Sequence, residues 1–130
     1  MLQTDRTFPA PLDERRRHRR LNFTEPVSFR NVFNPHESFT EAVSRDVSAG
    51  GVRLISSKFI PKDSRVVLVL TLPGELRPMR MISRVAWVKE QSYLGESYDY
   101  GLEFVEINRE DQEVVAGYVE RGVVRSTAHA

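Results

Sequence analysis

Short apolar segments separated by turn-forming residues are the feature that most constrains this fold. Residues 65–72 are β-branched and almost continuously apolar, as in a well-buried strand, and Pro73 and Gly74 end the segment. Other segments alternate apolar and polar residues, which is the period of a strand. So many short strands at close spacing favour an all-β, six-stranded antiparallel barrel, because closure removes exposed sheet edges. The other five segments are 27–33, 39–45, 52–56, 79–89 and 98–107.

A helical period follows the last predicted strand. Asn108 suits the N-cap position, and Glu110 and Asp111 place negative charge in the first turn, where the helix dipole favours it. The pattern predicts a helix over about residues 109–121. One face of this helix either packs on the barrel, which is the usual role, or forms a partner-binding surface that a ligand exposes. That face carries Val115, Tyr118, Val119 and Gly122.

Length and composition predict one domain in a reducing compartment. The chain has 130 residues, 40% of them hydrophobic, which suffices for a single modest core. It has no cysteine, so disulfides and thiolate metal sites are excluded. No apolar run approaches the roughly 18 residues of a membrane span, and the first residues lack the apolar centre of a signal peptide. We therefore expect a soluble, cytoplasmic protein that does not insert into membranes.

The domain organisation follows from these patterns. Residues 1–13 carry two prolines and few core-forming residues, which predicts a flexible N-terminal arm. Residues 14–125 form the domain, with an arginine-rich stretch at 15–20 and the barrel over about 26–107. Residues 126–130 are expected to be a loose tail.

The arginine-rich stretch points to an anionic ligand. Residues 15–20 contain five arginines, whereas the formal net charge of the chain is only +1. A local basic patch on a nearly neutral protein suits a small anion better than a long polyanion. We therefore expect a small ligand and not nucleic acid.

A second polar motif, Asp46-Val47-Ser48-Ala49-Gly50-Gly51, falls on the predicted connection between two strands. Arginine forks match phosphates and the O6/N7 edge of guanine, while a carboxylate matches the guanine N1–H and N2–H₂ donors. The two stretches together suggest a guanine nucleotide with phosphodiesters. Alternatively, Asp46 and Ser48 serve an Asx or serine turn, and Gly50 and Gly51 provide positive φ or let a ligand approach.

These residues resemble a known family. Arg16-x-x-x-Arg20 followed by Asp46-x-Ser48-x-x-Gly51 resembles the two-part signature of the PilZ domain, a bacterial receptor domain for cyclic di-GMP. Residues 82–88 and 100–104 resemble late strands of that family. The resemblance implies the same six-stranded barrel, cyclic di-GMP as ligand without any other cofactor, and signalling to an unidentified partner protein through ordering of the arm.

The resemblance also implies roles for single residues. Arg16 and Arg20 would contact the guanine Hoogsteen edge and the phosphates, Asp46 and Ser48 the Watson–Crick edge, and Gly51 would make room. Arg17 and Gly50 are weaker candidates. An arginine at the position of Arg15 goes, in this family, with two intercalated cyclic di-GMP molecules, and a solvated Arg15 paired with Glu14 is the alternative.

Trp87 is predicted to be buried, because the residues around it on its strand look core-facing. Placement at the barrel rim beside a purine is the alternative.

An enzyme is not expected. His18, His36 and His129 have no metal-ligand or catalytic spacing, Ser48 lacks a partner histidine, and no phosphate-cradling loop is present. Two other binding classes remain open. One is a barrel for single-stranded nucleic acid, supported by Phe29, Phe33 and Trp87; the other is a PilZ-like interaction module in motility or pilus assembly that binds no nucleotide.

Overall fold

Seven antiparallel strands and one helix make up residues 19–91 and 96–128, the part of the chain that the computed structural model describes. Six strands close into a barrel in the order β3-β2-β5-β6-β7-β4, and pairing of β4 with β3 completes the ring. The predicted six-stranded antiparallel barrel is confirmed. The elements are β1 (Arg20–Asn22), β2 (Pro26–Asn31), β3 (Thr40–Ser48), β4 (Gly51–Ser56), β5 (Arg65–Leu70), β6 (Met79–Glu90), β7 (Tyr98–Glu106) and α1 (Arg109–Ala128).

The seventh strand, β1, continues into β2 through a bend. β1 pairs with the C-terminal end of β3, with Arg20 opposite Ser48, whereas β2 pairs with the N-terminal end of β3. The buried Ser44 hydroxyl holds the bend, because it accepts a hydrogen bond from the Glu25 N–H at 3.0 Å and donates one to the Phe23 carbonyl. Arg20, the last residue of the arginine-rich stretch, therefore lies in a strand that the sequence pattern did not predict.

The barrel interior is filled by side chains. Leu54, Leu68 and Tyr100 are almost completely buried, and each such aliphatic side chain contributes roughly 1.5–3 kcal/mol relative to exposure. The internal cavity beside Phe29 and Tyr100 measures only about 10 Å³, about the space of one water molecule. This cavity is therefore too small for a nucleotide.

Helix α1 begins at the predicted cap and ends later than expected. The Asp111 N–H donates to Asn108 Oδ1 at 2.7 Å, and the helix continues to Ala128, beyond the predicted end at about residue 121. The predicted face is partly confirmed as core, because Val115 and Val119 are buried.

Two close contacts join α1 to the bend of the first strands. Tyr118 packs edge-on against Phe23 with 5.9 Å between ring centroids. At Gly122 a Cβ atom would lie 2.3 Å from Leu21 Cδ2, so a larger residue here would displace the Leu21 side chain. Leu21 follows Arg20 directly in β1, which places α1 behind the strand that carries this arginine.

Candidate ligand-binding site

A β-bulge in β3 turns Asp46 to the outside of the barrel. Ser44 and Asp46 pair with consecutive residues of β4, so Arg45 is an extra residue between them. A one-residue insertion shifts the in–out alternation of a strand. Ser44, before the bulge, is fully buried, and so is Val47 after it. Without the bulge Asp46 would face the apolar interior.

Ser48 ends β3 and shapes the hairpin to β4. Its hydroxyl accepts a hydrogen bond from the Gly50 N–H at 3.1 Å and lies 3.4 Å from the Gly51 carbonyl. The motif was predicted to lie wholly on a connection between strands. In the structure Asp46 and Ser48 belong to β3, and residues 49–50 form the turn. Ser48 therefore has the turn-stabilising role that was one of its two predicted roles.

Gly51 is required by the packing of β4 on β7. A Cβ atom at this position would lie 2.2 Å from the Leu102 carbonyl oxygen, which no relaxation of a side chain can relieve. Gly51 itself has no positive φ, so the expectation of positive φ is wrong at this residue. The glycine serves a close backbone approach.

Arg20 lies next to Asp46 on the outer face. Its Nε is 3.0 Å from Asp46 Oδ1, but the geometry is that of an ion pair without an aligned hydrogen bond. The Arg20 side chain is 48% exposed, whereas that of Asp46 is 15% exposed. The structure thus brings Arg20, Asp46, Ser48 and Gly51 together, with Gly50 in the adjoining turn. Arg15, Arg16 and Arg17 lie outside the described residues.

Arg53 and Asp99 extend this charged cluster across β4 and β7. Arg53 donates through Nε to Asp99 Oδ1 at 3.0 Å and through Nη2 to Oδ2 at 2.7 Å, while its Nη1 lies 3.7 Å from Asp46 Oδ2. Asp99 is only 3% exposed and also accepts from Gln91 Nε2 at 3.3 Å. Hydrogen bonding to Asp99, opposed by partial burial and aided by the charges of Asp99 and Asp46, raises the pKa of Arg53. Charges therefore alternate along Arg20, Asp46, Arg53 and Asp99.

Arg53 and Asp99 were not predicted as site residues. Arg53 lies two residues after Gly51 on the same strand face, so the period of two could have found it. Asp99 comes from β7, and its register opposite β4 depends on long-range pairing that the sequence pattern does not contain.

Trp87 lies on the outer face of β6, so its predicted burial is wrong. A second bulge leaves Ala86 unpaired between Val85 and Trp87, and this extra residue turns the indole outward. Trp87 is 40% exposed and covers Gly101, where a Cβ atom would lie 2.1 Å from the indole Nε1. This outward position agrees with the alternative of a place at the barrel rim.

Strand pairing places these groups in one row. Asp46 pairs with Arg53, Arg53 with Gly101, and Gly101 with Trp87, so the row crosses β3, β4, β7 and β6. With neighbouring strands about 4.8 Å apart, the row spans roughly 14 Å. A dinucleotide has similar dimensions.

The described part of the chain offers no metal centre. Within residues 19–91 and 96–128, no group of three or more His, Cys, Asp or Glu side chains could hold a metal ion. The one helix of the same segments is not long and apolar enough to cross a membrane. In these segments the polar groups of the candidate site are arginines and carboxylates, with the Trp87 indole beside them.

Comparison with protein families identifies the chain. The sequence profile of the PilZ domain matches residues 14–121, which is most of the chain. This protein belongs to the PilZ domain family. The resemblance noted from the two motifs is confirmed, and the matched range includes the arginine-rich stretch, the barrel and most of α1. No curated protein matches the sequence.

Solved structures share the fold at low sequence identity. The Bacillus subtilis inhibitor of motility MotI (DgrA) has a TM-score of 0.72 at 21% identity, covering 85% of this chain and 52% of MotI. MrkH of K. pneumonia, solved with cyclic di-GMP, has a TM-score of 0.67 at 17% identity, covering 88% of this chain and 55% of MrkH. This PilZ domain therefore spans about half the length of each of these two proteins.

A third neighbour matches over nearly its whole length. The PilZ domain of YcgR from Escherichia coli, solved with cyclic di-GMP, has a TM-score of 0.64 at 12% identity, covering 88% of this chain and 96% of that domain. At such identities the likeness concerns the fold, and the chemistry must be argued from the residues of this chain.

Proposed function

We propose that this PilZ domain is a receptor for cyclic di-GMP and binds it on the outer face of β1, β3 and β4. The observation that carries the proposal is the contact between Arg20 and Asp46, whose Nε and Oδ1 atoms are 3.0 Å apart. It joins the last arginine of the RxxxR motif to the first residue of the DxSxxG motif. Arg20 is half exposed whereas Asp46 is 15% exposed with a buried Oδ1, so a guanine reaches this carboxylate oxygen only after Arg20 has moved.

The guanine base suits the two charges of this pair. A carboxylate accepts from both N1–H and N2–H₂ of guanine, and a guanidinium fork donates to O6 and N7 or to a phosphate. In the proposed complex Asp46 takes the Watson–Crick edge, while Arg20 turns from Asp46 to the Hoogsteen edge or the phosphates. The half-exposed Arg20 side chain has the freedom to make this turn.

The other motif residues have supporting roles in this proposal. Ser48 holds the hairpin and lies directly opposite Arg20, and Gly51 keeps β4 close to β7. Arg16, with Arg15 and Arg17, would supply further charge to the phosphodiesters, and Gly50 would leave the turn open to the ligand. Trp87 would stack on the second purine at the far end of the row.

A few contacts of this kind are strong enough to give micromolar affinity. Micromolar affinity corresponds to about 8 kcal/mol, and each bidentate contact to a base contributes on the order of 1–3 kcal/mol of discrimination. Arg20 already lies in β1, so binding need not order the backbone of this arginine. In this proposal the ligand orders the residues before β1, which lie outside the described part of the chain, and a partner protein binds the surface beside β1 that changes as a result.

One of the three aromatic residues that favoured binding of single-stranded nucleic acid is buried. Phe29 is buried in the barrel, so it cannot stack on a base, whereas Phe33 is 82% exposed in the loop after β2. Trp87 lies on β6. Of the three aromatics that favoured single-stranded nucleic acid, only Phe33 and Trp87 are free to stack on a base, and they lie on separate elements.

Isothermal titration calorimetry tests the proposal. The wild-type protein should bind cyclic di-GMP and not a single-stranded oligonucleotide of similar charge. Arg20→Ala should weaken binding at least tenfold without changing the melting temperature, because Arg20 is exposed and outside the core. Arg109→Ala is the matched control, since Arg109 is an exposed arginine on α1 that contacts only Glu113 at 3.9 Å among the ion pairs described. Equal affinity of Arg20→Ala and wild type would contradict the assignment.

A further inference from the structure

Two arginines face the Asp46 carboxylate, and they are held in different ways. Arg20 approaches Oδ1 in an unaligned ion pair and is half exposed. Arg53 approaches Oδ2 at 3.7 Å and is fixed by two hydrogen bonds to the buried Asp99. An exposed ion pair is easily exchanged, whereas a buried carboxylate strongly resists losing its partner. When a ligand competes, Arg20 is therefore the arginine that leaves.

We propose that Arg53, anchored by Asp99, is a positioning residue that fixes the Asp46 carboxylate for guanine recognition after Arg20 has turned to the ligand. The inference rests on the proposed binding of cyclic di-GMP. It assigns the new role to Arg53 and Asp99, which belong to neither motif. Asp46 must offer one oxygen to N1–H and the other to N2–H₂, so the rotation of its carboxylate decides how well both bonds form.

The strand geometry supports this role. Asp46 and Arg53 are directly paired on β3 and β4, so their side chains leave the sheet on the same face. The bulge at Arg45 alters the backbone beside Asp46, and Arg53 is the group on β4 that restrains the carboxylate from the side. Arg53 in turn depends on Asp99 of β7, whose remaining described partner is Gln91.

The competing explanation is that Arg53 only neutralises Asp99 and joins β4 to β7. A purely structural role would change stability, or change affinity for all ligands alike. A positioning role predicts a change in base preference, because cyclic di-IMP lacks the N2 amino group and so uses one hydrogen bond fewer to Asp46. The preference for cyclic di-GMP over cyclic di-IMP is therefore the informative measurement.

The test uses the double variant Arg53→Gln with Asp99→Asn. Both replacements are neutral and remove the two opposite charges together, so Asp99 is not left as a buried carboxylate without a partner. Thermal melting checks the fold, and titration calorimetry gives dissociation constants for cyclic di-GMP and cyclic di-IMP. We expect affinity for cyclic di-GMP to fall about tenfold and affinity for cyclic di-IMP to fall clearly less, so that the preference for guanine shrinks.

A second variant keeps the test decisive if the double variant does not fold. Arg53→Lys retains the charge opposite Asp99, but a single ammonium group cannot span both carboxylates as a guanidinium fork does. It should fold and still lose part of the guanine preference. Lys58→Gln is the control, because Lys58 follows β4, is equally exposed and pairs with Glu37 at 2.8 Å, away from Asp46; both constants should stay at their wild-type values.

The outcomes separate the two proposals. The role of Arg53 alone would be overturned if the wild-type protein binds cyclic di-GMP but the folded Arg53 variants keep the full guanine preference. It would also be overturned if those variants lose affinity equally for both nucleotides. Wild-type protein that binds neither nucleotide would overturn the receptor function and, with it, this inference.

Discussion

At the scale of single residues, Arg20 and the ligand compete for the Asp46 carboxylate in the proposed site on one face of the barrel. Asp46 lies between Arg20 and Arg53, and only the contact with Arg20 is free to exchange. A ligand that replaces Arg20 at the carboxylate must bring its own donors, and guanine brings two. Recognition of the base and release of Arg20 are therefore coupled at one side chain.

Removal of the Asp46 carboxylate should weaken the binding of a guanine dinucleotide more than the binding of an adenine dinucleotide. We expect Asp46→Ala to weaken cyclic di-GMP binding by about 1–3 kcal/mol and to affect the adenine analogue cyclic di-AMP much less, because adenine offers no adjacent N1–H and N2–H₂ donors. Calorimetric titration with both dinucleotides measures this. An equal loss for both would mean that Asp46 acts on the protein and not on the base.

Two glycines of the site should respond differently to alanine. At Gly51 the new Cβ would meet the Leu102 carbonyl at 2.2 Å, so Gly51→Ala should lower the melting temperature markedly by separating β4 from β7. At Gly101 the three atoms nearest to the new Cβ all belong to the indole of Trp87, which is a 40% exposed side chain and not backbone. Gly101→Ala should therefore cost less stability, and differential scanning calorimetry compares them. Equal losses would show that Trp87 is fixed as firmly as the backbone.

The grouping of Arg20, Asp46 and Gly51 at one place could be predicted from the sequence, because the resemblance rests on two local motifs. Arg53 could have been found from its spacing to Gly51, but Asp99 could not. Its contact with Arg53 joins residues 46 positions apart, and sequence patterns do not fix the register of β4 against β7. The structural reason for Gly51 was likewise hidden, since the obstructing carbonyl comes from β7.

At the scale of elements, two β-bulges explain where strand prediction succeeded and failed. Alternation of period two located the six barrel strands, but it carries no sign of an extra residue. The bulge at Arg45 moves Asp46 outward, and the bulge at Ala86 does the same for Trp87, which a regular strand would bury. Strand β1 was missed because it has only three residues, and its outer positions are the polar Arg20 and Asn22.

The bend between β1 and β2 should influence the site through Ser44. Ser44→Ala leaves the Glu25 N–H without its acceptor, which should cost about 1–3 kcal/mol of stability, and it should also weaken cyclic di-GMP binding because β1 carries Arg20. Ser56→Ala is the matched control: Ser56 is also buried and accepts from the Lys58 N–H at 3.1 Å, far from β1. Urea denaturation and titration together should show a stability loss in both variants and an affinity loss in Ser44→Ala only. Unchanged affinity in Ser44→Ala would mean that the bend does not place Arg20.

At the scale of the whole molecule, the filled barrel leaves its outer surface as the place where a ligand or a partner could bind. The interior has space for about one water molecule, so a ligand cannot act by entering the core. The proposed output is the surface formed when the residues before β1 are fixed beside the barrel. Leu21, packed on Gly122, places α1 next to that surface.

We expect the number of bound ligands to depend on the arginines that precede β1. Two stacked cyclic di-GMP molecules bring four phosphodiester charges, which need more cationic neutralisation than one molecule does, and Arg15 could supply it while its guanidinium plane stacks on a guanine. We expect a calorimetric ratio near two ligands per chain, falling toward one in Arg15→Leu. Arg19→Leu, a change in the same stretch outside the motif, should keep the wild-type ratio. A ratio near one for the wild type would remove Arg15 from the site.

Trp87 gives this protein an optical property that follows from its position. It is the single tryptophan of the chain, 40% exposed above Gly101 and at the end of the row that begins at Asp46. Its fluorescence therefore reports on one defined patch, with no second indole to obscure the signal. A purine stacked on this indole should quench its emission and shift the remainder to shorter wavelength as water is displaced, in proportion to calorimetric saturation. A cyclic di-GMP titration that saturates by calorimetry but leaves the emission unchanged would place the ligand short of β6.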